Sequence, residues 1–273
     1  MISRKDEDFE GPGRWRVPFP SGLQQPVGAM RFAVDSLLLP CFVAASLKDR
    51  PLRVKNPLRE TAFDMNLPGY LACADLGCGC GASSLALMSL VGNIKLWGVD
   101  IVDEMVMSAR QNAAALDCGR HVRFDTRDVA ELACMRRPCC DLVQMNPPYW
   151  QEGEGMPSSR PMNERARRST NGLRDFLAAA RQLTVFHGRL FVIFPANRLF
   201  TLLQQIDEHG FGVRRLQAVR PFADTPAGRV LVEAQRDAAH ETVWEPDIVL
   251  YERSRSGRSV PTSRAKTFCP WLQ

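Results

Sequence analysis

Leu71-Ala72-Cys73-Ala74-Asp75-Leu76-Gly77-Cys78-Gly79-Cys80-Gly81 decides how this chain folds. A short apolar run that ends on an acid and three alternating glycines reads as a strand entering a tight turn. A helix is expected next over Ser83–Val91, starting near Ala82 or Ser83. A second buried strand follows over Ile94–Val99 and closes on Asp100. Strand, glycine turn, helix and strand together form the repeating unit of a parallel sheet. The pattern continues with an amphipathic helix over Asp103–Leu116, a strand over Val122–Phe124 ending near Arg127-Asp128, and a strand over Asp141–Met145. Beyond these come a helix over Leu173–Phe186, a strand over Leu190–Phe194 after Gly188, and a helix over Asn197–His209. Strands over Val213–Val219, Val230–Ala234 and Ile248–Glu252 complete the set. The expected fold is α/β, a doubly wound and largely parallel sheet covered on both faces.

The glycine turn is built for close approach of a ligand, and its charge says which kind. Asp75 precedes Gly77, Gly79 and Gly81, and Asp100 closes the next strand at the place where an acid reaches ribose hydroxyls. A pyrophosphate prefers free helix N–H groups with no carboxylate nearby. A cationic nucleoside such as S-adenosyl-L-methionine prefers the reverse. Asp128, after the third strand, is placed to accept from an adenine amino group, with Val129 packing on the ring. Asp75, Asp100, Asp128 and Asn146 each close a successive strand, which sets this apart from a glycine turn with incidental acids.

The fourth strand runs into Asn146-Pro147-Pro148-Tyr149. Two prolines cannot continue a ladder, so they fix an extended turn at the carboxyl end of the strand, where ligands bind in open α/β sheets. Such a platform suits alkylation of a planar amine. The Asn146 amide oxygen and the Pro147 carbonyl would accept the two N–H bonds of an adenine N6. They would thereby aim its lone pair at an electrophile, while Tyr149 stacks on an unstacked base. The plain alternative is a Pro-Pro turn that closes a core strand.

The rest of the chain sets bounds. It has 273 residues, 45% of them hydrophobic and 24% charged, with a net charge of +5, which is compatible with a polyanionic partner. Its nine cysteines lie in core-like segments and suit a reducing, cytoplasmic setting. None shows the paired spacing of a zinc site, and no metal is expected. Met1–Glu10 is too charged for a secretory leader, and no apolar run is long enough to cross a bilayer. Residues 1–21 read as a flexible segment, 22–252 as one catalytic domain with a loop or insertion at 48–69, and 253–273 as a basic tail. Asp35 or Ser36 reads as the N-cap of an apolar helix. Phe32 is open between covering a ligand and core packing. Arg160, Arg165, Arg167 and Arg168 could meet phosphates or form a solvated loop. Phe268 and Trp271 in the tail could stack on bases or pack on the protein itself.

At these residues the chain resembles the class I S-adenosyl-L-methionine-dependent N6-adenine methyltransferases. Asp75–Gly81 is similar to their first motif, Asp100 to the second, Asp128 to the third, and Asn146–Tyr149 to the amino-methylating motif. Within that group it resembles the tRNA1(Val) (adenine-37-N6)-methyltransferases. The likeness there rests on Gln25, Arg31-Phe32-x-x-Asp35-Ser36-Leu37-Leu38-Leu39, Ala166-Arg167, Ala223-Asp224-x-Pro226-Ala227 and Val230–Ala234. Arg168-Ser169 departs from the family's His-Glu, and Lys48–Gly69 looks longer than its linker. The resemblance implies a Rossmann-like seven-stranded sheet with an antiparallel C-terminal strand. It also implies that Asp75, Gly77, Cys78, Gly79, Gly81, Asp100, Ile101, Asp128 and Val129 seat the methyl donor. Asn146, Pro147, Pro148 and Tyr149 would carry catalysis on an adenine of RNA, tRNA in particular. The four-residue motif also occurs in protein glutamine, rRNA and DNA methyltransferases. An RNA-binding scaffold on a silent fold is the non-enzymatic alternative. The oligomeric state is open.

Overall fold

The computed structural model describes residues 18–29, 31–52, 69–134, 138–148, 172–254 and 256–272. One sheet of eight strands organises them, in the order β3-β2-β1-β4-β5-β7-β6-β8. Its strands are β1 (Leu71–Leu76), β2 (Ile94–Asp100), β3 (Val122–Thr126), β4 (Cys140–Met145), β5 (Thr184–Pro195), β6 (Phe211–Arg220), β7 (Arg229–Arg236) and β8 (Val243–Val249). The helices are α1 (Asp35–Asp49), α2 (Ala82–Leu90), α3 (Asp103–Ala115), α4 (Val129–Leu132), α5 (Leu173–Leu183), α6 (Leu199–Glu208) and α7 (Ser263–Phe268). A small hairpin, β9 (Tyr251–Arg253) with β10 (Ser259–Pro261), precedes α7. β1 through β5 run parallel, and β7 lies antiparallel between β5 and β6. The seven strands that the resemblance implies are present as β1–β7, and the further strand expected over Ile248–Glu252 is split, since β8 ends at Val249 and Tyr251 begins β9. The eighth, β8, pairs parallel with β6 on the outer edge.

Period-two alternation sorts the strand side chains into two cores. Cys73, Leu96, Leu142, Phe191 and Leu231 face α1, α2, α3 and α7. Ala74, Trp97, Val143, Val192 and Val232 face α4, α5 and α6. Helices on both faces explain why β1 and β4 are buried at every position. The chain leaves β1 toward β2 on one side and reaches β4 on the other. A crevice therefore opens between the carboxyl ends of β1 and β4, the switch point of a doubly wound sheet.

Several boundaries differ from expectation, each for a local reason. The helix expected to Phe186 ends at Leu183, because β-branched Thr184 and Val185 open β5 and the Thr184 hydroxyl donates to the Ala180 carbonyl at 2.7 Å. Gly188 lies inside β5, where a Cβ would come 2.8 Å from the Asp141 carbonyl oxygen. Val34 occupies the N-cap of α1, so neither Asp35 nor Ser36 does. α1 runs through Lys48 to Asp49, and the rest of the expected loop, residues 53–68, lies outside the described residues. In the tail, Ala265, Cys269 and Leu272 belong to the core beneath α1, with Phe268 and Trp271 packed against it. Trp271 meets Phe19 edge-on at 5.1 Å.

Candidate active site

The crevice at the switch point holds a cavity of about 370 Å³. That lies within the range of small-molecule sites. Its wall brings together Asp75, Gly77, Cys78 and Gly79 from the glycine turn, Asp100 and Ile101 after β2, and Val129 at the start of α4. Asn146, Pro147 and Pro148 complete it at the end of β4, with Phe32 from the segment before α1. Gly81 and Asp128 are not on this wall. Gly81, at φ +83°, is the N-cap of α2, and a Cβ there would meet Phe124 at 3.0 Å and Ala109 at 3.2 Å. Asp128 accepts from the Ala130 N–H at 2.9 Å and caps α4. Tyr149, Arg160, Arg165, Arg167 and Arg168 lie outside the described residues, as does the Ala166-Arg167 segment.

The two acids of the turn are held differently. Asp100 is a brace: its carboxylate accepts from the Gly79 N–H at 2.8 Å and the Val102 N–H at 2.9 Å, tying the turn to the end of β2. Burial pushes its pKa up, and the backbone N–H bonds pull against that. Asp75 is 2% exposed and accepts from the Ser84 hydroxyl at 2.5 Å. Burial raises its carboxyl from 3.8 to about 6, against the Ser84 and Gln144 hydrogen bonds, and the neighbouring charge of Asp100 adds to the rise. Gln144, fully buried on β4, donates to Ser83 at 3.1 Å, which links α2 to the strand that carries Asn146. The Cys78 thiol is pushed well up by burial and by both acids, so it stays protonated and is no nucleophile.

Sequence reasoning missed several members of the wall. Gln25, Arg31, Asp35, Met105, Arg127, Phe176 and Arg229 all line the cavity. Phe176 forms part of it from α5, and a Cβ on Gly77 would come 3.1 Å from its ring, so the glycine makes room for it. Asp35 pairs with Arg229 at 2.8 Å, joining the first turn of α1 to the start of β7. Asp35 and Arg229 were each visible beside recognisable motifs, but their pairing depends on the long-range fold.

Comparison with solved structures decides the fold. A predicted O-methyltransferase from Agrobacterium tumefaciens superposes with a TM-score of 0.59 at 17% identity, covering 86% of this chain and 95% of that one. The ribosomal protein L11 methylase from Lactobacillus delbrueckii superposes at 0.50 and 15% identity, covering 81% and 90%. The fold is that of the class I methyltransferases. The methyltransferase domain family matches residues 73–152, the span from β1 to just past Asn146. The resemblance read from the sequence also holds. The chain is 29% identical over 160 residues to the tRNA1(Val) (adenine(37)-N6)-methyltransferase of Erwinia tasmaniensis, covering 58% of this chain and 64% of the relative. It is 25% identical over 159 residues to the protein of the same name from Parabacteroides distasonis, covering 58% and 66%. The chain thus spans slightly less than two thirds of each relative's length.

Proposed function

We propose that this protein transfers a methyl group from S-adenosyl-L-methionine to the exocyclic N6 of an adenine in RNA, with tRNA as the substrate class. One observation carries the reading: Asp75, Asp100 and Asn146, from the ends of three adjacent parallel strands, share one cavity with the Pro147-Pro148 turn. A carboxylate-lined glycine turn suits a sulfonium nucleoside with an α-amino group, and the room present fits one. When bound, that donor supplies an electrophilic methyl whose carbon–sulfur bond breaks with both electrons passing to sulfur. Asp75 is positioned to balance the cationic end, and the Asp100-braced turn to cradle the nucleoside. At the end of β4 the Asn146 amide and Pro147 carbonyl orient the amine, whose lone pair forms the new N–C bond. The nitrogen then sheds its proton to solvent. Orientation and fixed dipoles supply the rate, and the buried Cys78 thiol takes no part. The shared name of the relatives supports adenine in tRNA as the acceptor. Nine free cysteines, eight of them buried, suit a reducing compartment such as the cytoplasm. No helix among the described residues is long and apolar enough to cross a membrane.

Radiolabelled methyl transfer to total tRNA from unmodified cells tests this, using wild type and Asn146→Ala. The expected result is labelled adenosine with wild type. In the variant, transfer falls by about 10²-fold or more, as for loss of an oxyanion-type hydrogen-bond partner, and S-adenosylhomocysteine still binds. Label in protein in place of RNA would shift the acceptor to a glutamine amide. No transfer to either would leave the silent scaffold.

A further inference from the structure

Gln25 lies on the cavity wall, on the segment that precedes α1. Its amide nitrogen is buried and has no hydrogen-bond partner among the described residues. A buried donor left unpaired forfeits the hydrogen bonds it made in water, so a donor fixed in that state points to something that completes it. The protein group beside it is the Cys80 sulfur. Burial raises that thiol and outweighs the pull of the Gln25 amide toward the thiolate, so it stays protonated, and a protonated thiol is only a weak acceptor.

The way the segment is held is equally specific. Asn112, on α3 and 2% exposed, accepts from the Gln24 N–H at 2.7 Å and donates to the Gln24 carbonyl at 3.0 Å. It also donates to the Cys80 carbonyl at 2.9 Å. This pattern fixes the amide's orientation, because a flipped amide would set N–H against N–H and oxygen against two carbonyls. Asn112 therefore grips residue 24 on both sides, as a neighbouring strand would, and ties that grip to the glycine turn. The next side chain along is Gln25.

We propose that Gln25 is a binding residue for the methyl donor, its amide N–H donating to an acceptor oxygen of the ligand, and that Asn112 is the residue that positions it. The inference rests on the proposed function. The oxygen belongs either to the ribose or to the amino-acid carboxylate, and two probes separate these sources. S-adenosylhomocysteine carries both, whereas 5′-methylthioadenosine has the ribose and no carboxylate.

Isothermal titration of both probes into wild type, Gln25→Ala, Gln25→Glu, Asn112→Ala and the Gln25→Ala/Asn112→Ala double variant makes the test. Gln25→Ala is expected to weaken S-adenosylhomocysteine by about three- to tenfold, the value of one hydrogen bond. Gln25→Glu weakens it further, since it puts an acceptor where a donor is required. Asn112→Ala also weakens binding. The double variant is no weaker than the worse single one, a non-additivity that general destabilisation would not produce. Parallel loss for methylthioadenosine assigns the ribose oxygen, and loss for S-adenosylhomocysteine alone assigns the carboxylate. Unchanged affinity in both Gln25 variants overturns the assignment of Gln25, and additive losses overturn the positioning role of Asn112. Failure of wild type to bind S-adenosylhomocysteine overturns the proposed function instead.

Discussion

At Asp75 the fold puts a carboxyl out of water beside a cavity, at a cost that depends on pH. Its folded pKa of about 6 lies above the ordinary 3.8, so folding favours the protonated form. That contribution is complete below 3.8 and is lost as pH rises through about 6. Above it the unliganded protein carries a buried charge worth up to about 3 kcal/mol. Asp75→Asn should therefore be the more stable protein at pH 8, by about 1–3 kcal/mol, with the difference vanishing toward pH 4. Denaturant titration across that range checks it. The same variant should lose at least about tenfold in affinity for S-adenosylhomocysteine, and wild-type affinity should fall as pH drops through about 6. Individual acids of this kind were legible in the sequence because each closes a strand. Asp128 shows where that reasoning thins out: a carboxylate after a strand can equally cap the next helix, and here it does.

Among the elements, α1 is fastened to the sheet through Glu233, a residue legible only as part of the run Val230–Ala234. On β7 it is 1% exposed and takes the Ser46 hydroxyl at 2.8 Å and the Arg50 guanidinium at 2.7 Å. Arg189 of β5 stands at 3.6 Å and Arg215 of β6 at 3.9 Å. One carboxylate thus joins the last turn of α1 to three neighbouring strands. Glu233→Gln leaves buried guanidiniums short of a counter-charge and should cost about 3–5 kcal/mol. Chemical denaturation should show this as a lower midpoint at unchanged slope. Arg50→Ala should cost less, since Arg50 is half-exposed and Ser46 remains. Periodicity located the core strands and helices well, because both faces of the sheet are apolar. It could not see this network, whose members lie as far apart as Ser46 and Glu233.

Across the whole molecule, the first and last described segments meet on one face. The basic segment after Arg253 reads from composition as a tail, yet Ala265, Cys269 and Leu272 are core residues and Trp271 holds Phe19. Scattered arginines masked that, since the apolar residues between them are too few to show a period. Deleting residues 254–273 should lower stability by at least about 3 kcal/mol, from the apolar groups uncovered beneath α1. It should also weaken S-adenosylhomocysteine binding, because Phe19 opens the segment that carries Gln25. Thermal melts and titration of the truncated chain test both. The pairing of Asp35 with Arg229 closes a loop of 194 residues. During translation Asp35 therefore waits for its partner until almost all of the sheet has left the ribosome. No shorter nascent fragment can assemble the complete pocket, so premature termination anywhere before β7 should yield polypeptides unable to capture the donor.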